Sequence, residues 1–144
     1  DLAANLIAQN LGAQIVELKP VQPYTNEDLN YNDPKSRISR EHNDASLRIV
    51  PLTNAKIPGW ESYEAVFVGY PIWWHDAAWP IDEFIKNNDF NGKKVIPFCT
   101  VFSSGLENSD KNLAKKANGG EWLAGKCFSE RPSEREIKEW LAKF

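Results

Sequence analysis

The chain contains no methionine and only two cysteines among its 144 residues. Since translation starts at methionine, we expect that residues preceding Asp1 have been removed or omitted. Cys99 and Cys127 lie far apart and form no CxxC pattern, which argues against a zinc site and against a thioredoxin-type dithiol. Two buried free thiols are the interpretation that remains.

Long apolar runs and an excess of positive charge are also lacking. No stretch approaches the roughly 20 apolar residues that cross a bilayer, and no charged and then apolar leader opens the sequence. The net charge is -3, which argues against nucleic acid as a partner. The length and the 42% hydrophobic content fit a single domain over residues 1–144. We therefore expect a cytoplasmic protein that binds neither nucleic acid nor membrane.

Several motifs of well-known enzyme classes do not occur. Neither G-x-x-x-x-G-K-[ST] nor G-x-G-x-x-G is found, so the sequence has no triphosphate loop and no dinucleotide fingerprint. The segment Phe102-Ser103-Ser104-Gly105 lacks the glycine two positions before the serine that a hydrolase elbow requires. His42 and His75 are the only histidines. Without a third clustered ligand, we interpret them as solvated loop residues and not as metal ligands; a group that titrates near a reduced cofactor is the alternative for either one.

Helix and strand signals alternate along the chain. The apolar spacing after Asp1 predicts a helix that Gly12 ends. Residues 21–58, called the link below, are polar and rich in proline, and only short helical turns are expected there, at 25–29 and 36–42. Strands are predicted over 13–18, 64–70, 94–100 and 122–128, and helices over 80–87, 109–117 and 133–144. The alternation predicts a parallel sheet with helices on both faces, an α/β/α sandwich.

The segment from Glu64 to His75 is an apolar run that ends in two adjacent tryptophans. Such a run predicts an interior strand buried on both faces, followed by a loop from Tyr70 to Trp79. Ligands of open α/β sheets bind outside the carboxyl ends of the strands, and adjacent indoles suit contact with a flat aromatic ring. Trp73 and Trp74 therefore indicate one wall of a flavin site. A helix-sheet core or an oligomer contact is the alternative.

A second loop, from Thr100 to Asn108, follows the next predicted strand and is expected beside the first. Ser103, Ser104 and Gly105 offer hydroxyls and backbone N–H groups to the polar edge of a ring. A tight turn with a capping serine is the alternative. Within that preceding strand we expect a bulge at Pro97, because proline cannot donate to a ladder.

These segments resemble the short-chain flavodoxin-like family. The resemblance rests on Tyr70-Pro71-Ile72-Trp73-Trp74, on Ile96-Pro97-Phe98-Cys99-Thr100 with Ser104-Gly105 beyond, and on Tyr31-Asn32-Asp33-Pro34 and Glu41-His42-Asn43-Asp44 in the link. It implies a flavodoxin-like fold with strand order 2-1-3-4-5, FMN as cofactor and electron transfer as activity. By analogy, one side of the isoalloxazine contacts Pro71, Ile72, Trp73, Trp74 and His75. The other side and the pyrimidine edge contact Thr100, Val101, Phe102, Ser103, Ser104 and Gly105.

The chain departs from the family pattern at its start and in both loops. Family members begin with a strand and a hydroxyl-rich phosphate loop, which precede the helix that starts here at Asp1. Their absence predicts a gap of about 10 Å between 13–18 and 65–70, or re-pairing of these strands. Asp1 brings a carboxylate to the helix end that attracts anions. Val101 and Phe102 replace small residues, and His75 stands where glycine is common.

These departures lead us to expect that the chain as it stands binds FMN weakly or not at all, and that it binds tightly once its amino end is restored. The leading hypothesis is an electron carrier between partner proteins, with no catalytic side chain. A flavin-dependent NAD(P)H or quinone oxidoreductase is the first alternative. A non-redox interaction domain with an exposed tryptophan surface is the second. The sequence is compatible with a dimer.

Overall fold

A computed structural model describes residues 1–101 and 105–144 of the chain. Its sheet has strands β1 (Ala65–Trp73), β2 (Asp76–Ala77), β3 (Lys94–Thr100), β4 (Glu121–Trp122) and β5 (Lys126–Phe128). β3 lies parallel to β1 on one side and to β4 and β5 on the other, and β2 is antiparallel to the end of β1. The predicted parallel sheet is confirmed for the strands at 64–70, 94–100 and 122–128.

Helices cover both faces of this sheet. They are α1 (Leu2–Leu11), α2 (Arg37–Asn43), α3 (Ile81–Asn87), α4 (Ser109–Lys116) and α5 (Glu134–Leu141), with short 3-10 turns at Ala45–Arg48 and Trp60–Ser62. On one face, α1 and α5 pack on Ile96, Phe98 and Phe128 of the sheet. On the other face, α3 and α4 bury Phe84 and Leu113 against it. None of the helices in the described ranges is long and apolar enough to span a membrane.

The helix boundaries follow local capping chemistry. The Asp1 side chain accepts a hydrogen bond from the N–H of Ala4, and Gly12 adopts a left-handed φ of 62° at the carboxyl end of α1. Ser36 and Ser133 cap α2 and α5 in the same manner. These helices are confirmed where the sequence predicts them.

Burial on both faces belongs to β3, not to β1. The five residues from Val95 to Cys99 are all buried, whereas Gly69 and Pro71 of β1 are exposed. Among the described residues, β1 has a strand along its length only on the β3 side. The prediction that 64–70 is buried on both faces is therefore wrong for this arrangement of strands.

The bulge predicted at Pro97 is not found in β3, which pairs with β1 in continuous register through Val68↔Pro97, and the irregularity lies on the other side of β3. β3 is paired with β4 at Lys94↔Glu121 and with β5 at Phe98↔Lys126. The offset between partners is 27 residues in the first case (121 minus 94) and 28 in the second (126 minus 98), so the partner holds one extra residue. The pairing of β3 passes from β4 to β5 opposite Pro97, because the nitrogen of Pro97 carries no hydrogen to donate to a partner strand.

The strand predicted over 13–18 is not formed. These residues are largely exposed and pair with none of the described strands. The chain beyond them bonds to the link instead, because Thr53 N–H donates to the carbonyl of Lys19 and Val21 N–H donates to that of Pro51. A strand requires a partner for its backbone groups, and none of the described strands pairs with residues 13–18.

The expectation of two free thiols is also wrong. Cys99 of β3 and Cys127 of β5 form a disulfide, with their Cα atoms 4.5 Å apart. They are direct partners in the register of two parallel strands. That separation lies within the range that a disulfide can bridge. The bond closes a 28-residue segment that contains α4 and β4.

Candidate functional site

The two predicted loops leave the same edge of the sheet as neighbours. β1 and β3 are parallel, and their last paired residues are Pro71 and Thr100. Ile72 to His75 therefore lie beside Thr100 and Val101, at the carboxyl ends of the strands. This is where open α/β sheets bind ligands, and the structure brings the two candidate segments together there.

The first loop is a tight hairpin and not the open loop predicted from Tyr70 to Trp79. β1 continues through Trp73, which pairs with Asp76 of β2. Trp74 and His75 form the two-residue turn, with φ of 44° and 66°. Two successive left-handed residues fit the twist of a hairpin, but neither is glycine, and side chains rarely adopt this conformation. The turn explains why glycine suits position 75.

The two tryptophans, called the tryptophan wall below, are half-buried by residues of the link. Trp73 contacts the edges of Tyr24 and Trp79, with ring centroids 5.2 and 4.9 Å away. The ring of His42 stacks on Trp74 at 4.2 Å, with 10° between the planes. The interpretation of His42 as a solvated loop residue is therefore wrong. The link thus packs against both indoles, and both residues are only partly buried.

Sequence reasoning missed Glu41, the residue to which the side chains of Tyr24 and Trp79 are hydrogen-bonded. Glu41 of α2 is 4% exposed and accepts hydrogen bonds from Tyr24, Arg37 and Trp79. The signal available in the sequence is the spacing of four between Arg37 and Glu41, which places the pair on one helix face. That spacing does not reveal that the carboxylate is buried.

The second loop is described only in part. The Thr100 hydroxyl donates to a carboxylate oxygen of Asp1 at 3.0 Å, and the N–H of Val101 donates to the carbonyl of Phe128. Gly105 adopts φ of 75°. The predicted ring contacts of Phe102, Ser103 and Ser104 fall outside the described residues. The width of a slot between the tryptophan wall and Ser103 falls outside them as well.

An ion pair joins the two loops. His75 Nδ1 lies 2.8 Å from Glu107 Oε1, and 75% of the His75 side chain is exposed. Glu107 adopts φ of 51°, so both partners have left-handed backbones. The hydrogen bond to the Glu107 carboxylate, together with its charge, raises the pKa of His75. His75 is solvated as expected, but it also connects the hairpin to the second loop.

The amino end of α1 lies beside the same edge of the sheet. Asp1 accepts from Ala4 N–H through one oxygen and from the Thr100 hydroxyl through the other. Helix N-termini attract anions through free N–H groups, but here a carboxylate of the chain already contacts the donors. The partly buried Trp73 and Trp74 suit contact with a flat ring, whereas a phosphate at the amino end of α1 would have to displace the Asp1 carboxylate.

The two described clefts lie away from the loops. One, of about 550 Å³, is lined chiefly by the link, including Arg37, Arg40 and Ile49. The other, of about 290 Å³, lies between β5 and the end of α5, at Lys126, Trp140 and Phe144. Within 1–101 and 105–144, no group of three metal-ligating side chains comes together.

Comparison with known proteins identifies the family. The family model described as Flavodoxin matches residues 1–144. The solved structure of a "putative flavoprotein" from Bacteroides eggerthii DSM 20697 is 35% identical, with a TM-score of 0.87, over 99% of this chain and 87% of that chain. Another from Bacteroides uniformis ATCC 8492 is 35% identical, with a TM-score of 0.88, over 98% and 88%. A search of curated proteins gave no match.

These similarities confirm the predicted fold. Three of the strands occupy neighbouring positions in a parallel sheet with helices on both faces, as in the order 2-1-3-4-5 expected from the resemblance. The structural agreement extends over nearly all of the chain. The chain therefore belongs to the flavodoxin family and has its α/β fold.

Proposed function

We propose that this chain binds FMN at the carboxyl edge of the sheet and passes electrons between partner proteins. The observation that carries the proposal is the tryptophan wall, half-buried and fixed beside the second loop. Family membership and the two similar structures support a flavin as the bound group. When bound, FMN supplies the electron transfer, and the protein binds and orients it.

The wall and the second loop have separate roles in holding the cofactor. Pro71, Ile72, Trp73, Trp74 and His75 would contact one side of the ring. The other side and its polar edge would contact Thr100, Val101 and Gly105, together with Phe102, Ser103 and Ser104. Indole faces exclude water from the ring and favour offset contact. No step of this function requires a side chain to transfer a proton.

A fluorescence titration of FMN tests the proposal. We expect Trp74→Leu to weaken FMN binding about 5- to 150-fold, since it removes roughly 1–3 kcal/mol of aromatic contact. The matched control is Trp122→Leu, since Trp122 lies in β4, beyond β3 from the wall and paired near the start of that strand. Equal affinities of the two variants would contradict the placement of the ring.

Turnover measurements distinguish the carrier from the other hypotheses. Steady oxidation of NAD(P)H with a quinone acceptor would identify an oxidoreductase, whereas dependence on a separate reductase is expected for a carrier. Failure to bind any flavin would favour an interaction domain. The packing of Trp73 and Trp74 against Tyr24, Trp79 and His42 supports a shaped wall more than a free contact surface.

A further inference from the structure

We propose that Glu41 is a positioning residue for the tryptophan wall, because it is the common hydrogen-bond acceptor of the two rings that flank Trp73. This inference rests on the proposed function in so far as the wall contacts a flavin. It extends that function into the link. Neither the family description nor the names of the similar structures give this segment a role.

The contacts of Glu41 involve both oxygens of its carboxylate. The Tyr24 hydroxyl lies 2.8 and 2.7 Å from the two oxygens. Arg37 Nε donates to one oxygen at 3.1 Å, and Trp79 Nε1 donates to the other at 3.2 Å. Hydrogen bonds to a charged acceptor are shorter and stronger than neutral ones. The carboxylate therefore fixes three side chains at once.

Two of the three donors are the rings that pack on Trp73. Tyr24 and Trp79 meet Trp73 edge-on, with interplanar angles of 61° and 73°. The ring centroids of Trp79 and Trp74 are 6.2 Å apart. Trp79 is 7% exposed and packs on both tryptophans, so a change in its position alters what they pack against. The position of Glu41 is thus transmitted to both tryptophans through one indole.

The remaining contacts hold Glu41 and Tyr24 in place. The guanidinium of Arg37 lies 3.7 Å from the centroid of the Tyr24 ring, where it balances the buried charge. Arg48 Nε donates to the backbone carbonyl of Glu41 at 2.8 Å, which anchors the end of α2. Burial, followed by the bond to Glu41, raises the pKa of the Tyr24 hydroxyl, so this ring remains a neutral donor at neutral pH.

A buried carboxylate is poorly explained as a device for stability alone. Replacing a buried ion pair by apolar groups is often neutral or stabilising, because removing charges from water is costly. A charged acceptor with several fixed donors does, however, impose one orientation on those donors. An orienting role accounts for a charge at this position, directly behind aromatic side chains.

The test is Glu41→Gln in the full chain, studied with FMN and with riboflavin. A glutamine carries no charge and offers one acceptor oxygen in place of two, so all three donors are held more weakly and either Arg37 or Trp79 faces an N–H₂ group. We expect both flavins to bind about tenfold more weakly, by the same factor, because the wall contacts the ring that they share. The midpoint potential of bound FMN should shift as well.

Asn88→Ala is the matched control. Asn88 is 6% exposed and bonds to Ala55, Ile57 and Phe84 at the far end of α3. Its loss lowers stability without touching the wall. Asn88→Ala should therefore change the stability and leave the flavin affinity and the midpoint potential unchanged. If Glu41→Gln gave the same result, Glu41 would be only structural and the proposal would be overturned.

A cycle with the donors tests the route of the effect. In a Tyr24→Phe/Trp79→Phe background, Glu41→Gln should add less than a twofold change in flavin affinity, because the donors are already gone. If Glu41→Gln alone does not fold, the Tyr24→Phe/Trp79→Phe variant is measured in its place, because it removes the same hydrogen bonds. A full tenfold effect in the double background would contradict transmission through these rings.

NMR of the flavin-free protein separates this inference from the proposed function. Glu41→Gln should move the indole N–H resonance of Trp79 and the ring resonances of Trp73 and Trp74, but not those of Trp122. Unchanged resonances of Trp73 and Trp74 would refute positioning by Glu41. Failure to bind either flavin, by the unaltered chain and by a chain with its amino end restored, would instead refute the proposed function.

Discussion

Gly69 lies directly beneath the ring of Phe98. A Cβ atom at position 69 would come within 2.3 Å of that ring, and Phe98 is 4% exposed and packed among its neighbours. Phe98 and Gly69 are partners in the register of β1 and β3. The missing side chain therefore lets an aromatic ring cover the strand that leads to the tryptophan wall.

We expect Gly69→Ala to destabilise the fold by about 1–3 kcal/mol, the usual cost of overpacking a filled core. Urea unfolding gives the free energy directly. Combining it with Phe98→Leu should cost less than the sum of the two single changes, because the smaller side chain removes the clash. If the two losses of unfolding free energy simply add, the Phe98 ring is not the cause of the destabilisation by Gly69→Ala.

The ion pair between His75 and Glu107 predicts a dependence on pH. Because the pKa of His75 lies above its ordinary value of 6.5, the pair contributes fully below that pH and is lost as the pH rises through the raised pKa of the folded state. An NMR titration of the His75 ring should show a pKa that falls towards 6.5 in Glu107→Gln. Glu61→Gln, which changes an exposed carboxylate elsewhere, should leave the titration unaltered.

At the scale of elements, β5 depends on a covalent link to β3. β5 spans three residues, Lys126–Phe128, and its central residue is Cys127. The chain-entropy treatment assigns a closed segment of 28 residues a stabilisation of about 3 to 4 kcal/mol. The bond therefore secures a short strand next to Thr100, where the second loop begins.

We expect the variant Cys99→Ala/Cys127→Ala to lose about 3 to 4 kcal/mol of unfolding free energy and roughly 10 °C of melting temperature. Calorimetry with and without a thiol reductant provides the comparison, since the reductant should act on the unaltered protein and not on the variant. Two reactive thiols in the unfolded, unreduced protein would show that the disulfide does not form.

At the scale of the whole molecule, the first residue of the chain meets the carboxyl edge of the sheet. Asp1 and Thr100 are 99 positions apart, yet their side chains are hydrogen-bonded at 3.0 Å. The fold thereby places a negative charge where the helix N-terminus would otherwise attract an anion. The proposed cofactor carries its own negative charge on the phosphate.

Asp1→Asn should therefore raise the affinity for FMN about fivefold, the effect of removing roughly 1 kcal/mol of repulsion. Asparagine caps helices as well as aspartate does, so α1 is retained. Riboflavin, which lacks the phosphate, should bind equally to both forms, and Glu121→Gln serves as a charge control at the opposite end of β3. An equal gain for riboflavin would place the phosphate elsewhere.

The hairpin shows where prediction of the site stops. The run from Glu64 onward correctly indicates a strand, and the parallel order correctly predicts that the two loops leave the sheet as neighbours. The apolar run does not predict that β1 continues through Trp73, because this extension depends on pairing with Asp76 and Ala77 across a strained turn. The support of the wall by Tyr24 and His42 depends on how the link folds back.

The sequence by itself determined α1, α5 and β3, because caps such as Asp1, Gly12 and Ser133 and an unbroken apolar run act within a few residues of the chain. Only the tertiary structure decided the features that need a distant partner. The segment 13–18 had no strand to pair with, Cys127 lay in register with Cys99, and Glu41 was enclosed by aromatic donors. Hydrogen-bond pairing of strands and burial of charge are set by neighbours in space, and local patterns do not specify those neighbours.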